Sequence, residues 1–161
     1  MNRLFIFLLG LFIVLGSSAQ DLPSVKIQTL VGKSVETTSW IDNETPFIVS
    51  FWSTTCKPCL KELDALSENF EDWNEKTTFR VVAVSIDDSR SLARAKALAA
   101  GRGWDMFDVF FDVNSELKRA MNVSLVPHVF VFDKNGKQVY THVGYKLGDE
   151  EELYKIIKSL K

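Results

Sequence analysis

The chain has 161 residues, with 19 Lys and Arg against 21 Asp and Glu, for a formal net charge of −2. This mild acidity, without a basic block anywhere, gives no support for nucleic-acid binding or for attraction to an anionic membrane. The length suits one ordinary domain with a core of its own.

Met1-Asn2-Arg3 supplies a short positive start, Leu4 to Leu15 an apolar run, and Ser17-Ser18-Ala19 a small-residue cleavage site. That is the layout of a secretory signal peptide, with cleavage expected after Ala19. The run is shorter than the ~20 residues that span a bilayer comfortably. Membrane attachment is expected only if this segment stays uncleaved. The mature domain is therefore expected at residues 20–161, exported to the periplasm or another extracytoplasmic space where disulfides persist.

Val25 to Leu30 and Val35 to Thr38 flank Gly32-Lys33 and predict a short hairpin. After Pro46, the run Phe47 to Trp52 is apolar on both faces, as in a central buried strand. The segment after Pro58 carries Leu63, Leu66, Phe70 and Trp73 at three- and four-residue spacing, the buried stripe of a helix. Phe79 to Ile86 reads as a second buried strand, and Ser89 to Ala100 as a helix that Gly101 and Gly103 can stop. Phe107 to Phe111 predicts a strand, followed by a helix from about Asn114 to Asn122. His128 to Phe132 is a strand, and Lys134-Asn135-Gly136-Lys137 a hairpin turn into Gln138 to Val143. The last helix starts near Gly148, with Glu150, Glu151 and Glu152 in its first turn and Lys155, Lys158 and Lys161 towards its end, matching the helix dipole. The sum is one α/β domain, a mixed sheet covered by helices on both faces.

The two cysteines of the chain, Cys56 and Cys59, lie between the first long strand and its helix as Cys56-Lys57-Pro58-Cys59. A ring this small gains little from constraining the unfolded chain, so the spacing suits a strained, reversible disulfide better than a structural staple. A zinc site would need two more ligands. There is no third cysteine, and His128 and His142 are too far apart in sequence for the usual His pair. Redox chemistry is the expected use.

This order of elements, with the CxxC before a helix and a Val-Pro before the late hairpin, resembles the thioredoxin superfamily, and within it the exported TlpA/ResA-type thiol–disulfide oxidoreductases. The match is carried by Phe51-Trp52-Ser53, Cys56 to Cys59, Glu62, and Val126-Pro127-His128 running on to Asp133-Lys134-Asn135-Gly136. It covers essentially all of residues 20–161. The resemblance implies a three-layer thioredoxin-like fold with an N-terminal β-hairpin, and an enzyme that needs no cofactor beyond its own disulfide. Some positions depart from the family pattern. Thr55 stands where Trp is usual, Ser50 where thioredoxins bury an Asp, His128 where Thr or Glu is common after the Pro, and Leu125 where a glycine precedes it.

Cys56 is expected at the helix N-terminus, where unpaired N–H groups and the positive dipole end favour a thiolate. It is assigned as the attacking thiol and Cys59, one turn on and facing the core, as the resolving thiol. Lys57 and Pro58 set the poise, by a cation beside the thiolate and by starting the helix; Lys57 reads equally as a solvated side chain. Glu62 is the candidate general base for Cys59, against the reading of an ordinary solvated glutamate. The resemblance implies a cis Pro127 that sets the Val126 backbone beside Cys56 as an edge for a substrate strand. Trp52, Thr54 and Thr55 are expected to line the approach, with plain core an equal reading for Trp52. His128 is expected to tune Cys56 or touch substrate, with an ordinary strand histidine as the alternative. Arg90, Arg94 and Arg102 read as a solvated face, and Trp104, Phe107, Phe110 and Phe111 as core.

The leading expectation is a monomeric exported reductant of protein disulfides, recharged by an upstream thiol–disulfide donor. A copper or zinc carrier using Cys56, Cys59 and His128, a thiol peroxidase, and a redox-silent binding module are the alternatives. The peroxidase pattern needs a Pro where this chain has Val49.

Overall fold

A computed structural model of the chain describes residues 21–160; the signal peptide expected at 1–19 lies outside them. The elements are β1 (Lys26–Thr29), β2 (Ser34–Glu36), β3 (Phe47–Trp52), α1 (Lys57–Lys76), β4 (Arg80–Ser85), α2 (Leu92–Gly101), β5 (Asp108–Phe111), α3 (Glu116–Ala120), β6 (His128–Phe132), β7 (Gln138–Val143) and α4 (Asp149–Ser159). The strands form a seven-stranded sheet in the order β2-β1-β5-β4-β3-β6-β7. β3, β4 and β5 run parallel, joined through α1 and α2, while the outer pairs are antiparallel. Parallel neighbours need such helical crossovers; antiparallel ones need only a turn.

Pleating divides the core in two. Ile48 and Trp52 of β3, Val81 and Ala83 of β4, and Val129 and Val131 of β6 face α1, α2 and α4. Phe47, Val49 and Phe51, with Val82, Val84, Phe130 and Phe132, face the other way, towards α3 and a 3-10 turn at Thr37–Trp40. Trp73 of α1 stacks on Tyr154 of α4 with ring centroids 4.6 Å apart, which ties the two long helices together. The fold is the expected mixed thioredoxin-like sheet with helices on both faces and an N-terminal hairpin.

Several boundaries differ from the sequence pattern, each for a local reason. α2 starts at Leu92 instead of Ser89, because the Asp88 carboxylate accepts the N–H groups of Arg90 and Ser91 and holds a turn there. α3 shrinks to five residues, because Ser115 and Asn122 at its ends adopt left-handed backbone at φ 55° and 54°. The buried Asp112 carboxylate accepts its first amides, from Glu116, Leu117 and Lys118. β2 stops at Glu36, because Thr37 is buried and its hydroxyl accepts from the Val25 amide, which opens the 3-10 turn.

The β6–β7 turn holds the start of the domain. Leu22 N–H donates to the Gly136 carbonyl at 2.9 Å, and Gly136 is buried at φ +79°. A Cβ there would run into the Ile41 side chain. Gly136→Ala is therefore expected to cost more than about 1 kcal/mol, from left-handed strain plus displacement of Ile41, measured by urea unfolding. A midpoint equal to that of the unsubstituted chain would remove this account of the turn.

Candidate active site

β3 ends at Trp52 and the chain turns through Ser53-Thr54-Thr55 into α1. Cys56 caps that helix: its Sγ accepts the Cys59 N–H at 3.2 Å, and its carbonyl accepts the Leu60 N–H. Cys56 and Cys59 are joined as a disulfide with their Cα atoms 5.3 Å apart. Cys56 is half-buried, whereas Cys59 is fully buried beside Leu63 and Leu66. The difference follows from helix geometry, since Cys59 sits one turn above Leu63 on the stripe that meets the sheet. Lys57, Pro58 and Thr55 are exposed around the pair.

The loop ahead of Cys56 is pinned from β4. Asp87 accepts from both the Thr54 backbone N–H and the Thr54 hydroxyl, each at 2.9 Å, and from Ser85 Oγ at 2.9 Å. Thr54 thus faces inward to Asp87, which corrects the expectation that it lines the approach. Trp52 takes the core reading of its two. It is wholly buried and meets Trp104 edge-on at 5.2 Å between ring centroids, so it supports the site from below and presents no surface to a substrate. Asp87 itself carries no local sequence signal, because it lies 33 positions from Thr54.

Glu62 is fully buried, which removes the solvated reading. Its place follows from strand register. Ser50 of β3 is opposite Val129 of β6, and Val129 is opposite His142 of β7, so Ser50 and His142 share the sheet face that α1 covers. Glu62 reaches down from α1 into that row. Its Oε2 accepts the Ser50 hydroxyl at 2.8 Å, and its Oε1 lies 3.5 Å from His142 Nε2. Burial, the largest influence, pushes the Glu62 carboxyl above its ordinary range. The Glu62 carboxylate beside it is the largest influence on His142 and pushes its imidazole up in turn. Glu62 is three residues beyond Cys59 on the same helix, a spacing that sets Cβ atoms roughly 5–6 Å apart.

His128 lies on the opposite sheet face. Its ring stacks on Phe130 with centroids 4.2 Å apart, and its Nε2 meets Thr141 Oγ1 at 3.1 Å. Burial pushes its imidazole down, and the charge of His142 adds to the effect. It is therefore held away from the Glu62 side of the sheet. The Val126–Pro127 peptide bond is cis, Pro127 is buried, and Val126 and Cys56 both pack at the margin of the same core cluster. Leu125 beside them is 67% exposed, an apolar rim next to that edge. Among the described residues, no group of three or more His, Cys, Asp and Glu side chains is arranged to hold a metal ion.

Sequence reasoning singled out Glu62 but missed Ser50 as its donor and His142 as its partner. Only cross-strand register brings these three together. The arrangement can do dithiol–disulfide exchange: an accessible sulfur, a buried sulfur behind it, and a buried acid on the next turn.

A profile of the AhpC/TSA family matches residues 19–141. The thiol–disulfide oxidoreductase ResA of Bacillus cereus is 26% identical over 136 residues, 84% of this chain and 75% of that protein. ResA of Bacillus subtilis is 25% identical over 128 residues, 80% and 68% of the two chains. Among solved structures, an uncharacterized thioredoxin-like protein from Porphyromonas gingivalis is 47% identical. It covers 86% of this chain and 90% of its own, with a TM-score of 0.76. A putative thiol:disulfide interchange protein DsbE from Chlorobium tepidum is 25% identical, over 89% and 98%, with a TM-score of 0.75. A thioredoxin-like sheet, a bonded CxxC at the first helix and these relatives converge: the chain belongs to the AhpC/TSA family and is a thiol–disulfide oxidoreductase of the thioredoxin superfamily.

Proposed function

We propose that this oxidoreductase works outside the cytoplasm as a reductant of protein disulfides and is recharged there by an upstream thiol–disulfide donor. The observation that carries the reading is the asymmetry of the pair, with Cys56 half-buried at a helix N-terminus and Cys59 fully buried behind it. In the reduced enzyme, the Cys56 thiolate attacks one sulfur of the substrate disulfide. A Cys56–substrate bond forms and the other substrate sulfur leaves as a thiolate. Cys59 gives its proton to Glu62 and attacks Cys56 Sγ, which closes the enzyme disulfide and frees the second substrate thiolate. Two electrons pass to the substrate, and the two thiolates take up protons. Val126, with the exposed Leu125 beside it, offers the edge along which an extended substrate segment pairs; Thr55, Lys57 and Pro58 form the opposite rim.

Export is supported by the composition of residues 1–19, and no helix among the described residues is long and apolar enough to cross a membrane. The domain is proposed to act as a monomer, without nucleic acid or a further cofactor.

The test is the reduction potential of Cys56–Cys59 in residues 20–161, by equilibration against a dithiol buffer with thiol trapping. The expected value is at or below the roughly −270 mV of thioredoxin; a value near about −120 mV would make the enzyme a disulfide donor and reverse the direction. Absence of any reversible couple would overturn the exchange reading altogether.

A further inference from the structure

Glu62 has no exposure of its own, so a proton it accepts from Cys59 cannot pass directly to bulk water. Two polar side chains reach its carboxylate. One is Ser50, itself wholly buried, which leads only deeper into the protein. The other is His142, whose side chain is 17% exposed. His142 also lines an open cleft of about 350 Å³ between the end of β7 and the start of α4, together with Tyr140, Tyr145, Lys146 and Asp149. The imidazole therefore has Glu62 on one side and the cleft on the other. Both ring nitrogens are buried and neither makes a hydrogen bond, so no such bond locks the ring in place.

We propose that His142 is the proton conduit of this enzyme, linking the buried Glu62 carboxyl to solvent in the cleft between β7 and α4. The inference rests on the reading of Glu62 as the base for Cys59. In the resolving step the Cys59 proton moves to Glu62 Oε1, and the Cys59 thiolate attacks Cys56 Sγ and expels the substrate thiolate. The Glu62 proton then passes to His142 Nε2, and a proton leaves from Nδ1, which is buried in the resting structure, once the ring turns that nitrogen into the cleft. Recharging by the donor runs the same transfers backwards. The 3.5 Å separation of Nε2 and Oε1 is slightly longer than a direct hydrogen bond, so a shift of a few tenths of an ångström makes the contact.

The surroundings keep the ring titratable. Glu62 faces it from α1 and Asp149 and Glu152 from α4; Tyr140, Tyr145 and Lys146 complete the cleft, and His128, on the other face of β6, interacts with it through charge alone. The carboxylates favour the imidazolium and burial opposes it, while His128 is itself held towards neutrality. Glu150, at the start of α4, accepts the Tyr145 hydroxyl at 2.9 Å and the Gly148 N–H at 3.0 Å, which fixes the wall of the cleft.

The test separates this role from packing. The reduced enzyme is mixed with dithiobis-nitrobenzoate, which releases one thionitrobenzoate as Cys56 forms the mixed disulfide and a second as Cys59 resolves it. His142→Ala is expected to slow the second phase at least about tenfold near neutral pH and leave the first unchanged, and to lose the pH dependence that a histidine confers. Imidazole added to the buffer is expected to restore the second phase in His142→Ala but not in Glu62→Gln. His142→Gln, which keeps much of the bulk without the titration, is expected to stay slow. A second phase within twofold of wild type in both His142 variants, with Glu62→Gln slow, would overturn the conduit and leave Glu62 as base. Slow His142 variants that imidazole does not restore would overturn it in favour of a positioning role. A wild-type second phase in Glu62→Gln would remove the base itself, and the conduit with it.

Discussion

Cys56→Ser is expected to abolish disulfide reduction, and Cys59→Ser to stop it one step later with the substrate still attached. The two outcomes differ because the sulfurs occupy different places. Cys56 is the half-buried helix cap that a substrate disulfide can reach, and a serine hydroxyl at that site is too weakly acidic to attack. Cys59 is wholly buried and can meet only the sulfur of Cys56. Without it the first exchange proceeds and the mixed disulfide persists. Mass spectrometry of each variant, after incubation with a reduced-and-reoxidised test protein, reads the difference directly. A stable adduct on Cys56→Ser, through Cys59, would reverse the assignment of roles. Both variants should fold, since a disulfide closing so short a ring contributes little through the unfolded chain.

Glu62→Gln is expected to slow the resolving step by about a hundredfold or more, the lower end of what a positioned general base contributes. Glutamine keeps the shape and can still accept from Ser50, so the loss reports the missing proton acceptor and not a cavity. The same variant has a stability signature. The Glu62 carboxyl is raised above 4.5 by burial, and His142 is raised above 6.5 by the neighbouring Glu62 carboxylate. Folded chains therefore hold more protons on this pair than unfolded ones. The stability that the pair contributes is full below about pH 4.5 and is lost as the pH rises through the two folded values. His128, pushed down from 6.5, acts oppositely and only below that value, where stability is gained as it loses its proton. The melting temperature of Glu62→Gln should thus gain on wild type steadily as the pH rises from about 5 to about 9. A constant difference over that range would mean that the buried pair does not titrate within it.

The cysteine chemistry was legible because it is local. Cys56 to Cys59 are four consecutive residues at a strand-to-helix junction, and the apolar run before them and the Leu63, Leu66, Phe70 stripe after them place the pair without any long-range information. The seven-stranded architecture was legible for a similar reason, since runs apolar on both faces and strong turns such as Asn135-Gly136 are local patterns. Boundaries were less so: Asp88 and Asp112 bind neighbouring amides and move helix starts in ways that periodicity does not register. The surroundings of Glu62 were not legible at all. Along β7 the apolar residues Val139 and Val143 face solvent, while Tyr140 and His142 face inward, the reverse of a simple alternation rule. That choice is made by what lies across the sheet. His142 aligns with Val129 and Ser50 under α1, where Glu62 needs a polar partner, and a charge-capable side chain there is worth more than another valine. Trp52 shows the same limit, since its place near the cysteines left substrate contact and core equally open and only the packing of Trp104 beneath it decided for core. The sequence determined which atoms react. The tertiary structure decided how their protons travel, because a buried acid takes its partners from strands brought alongside by register and not from residues nearby in the chain.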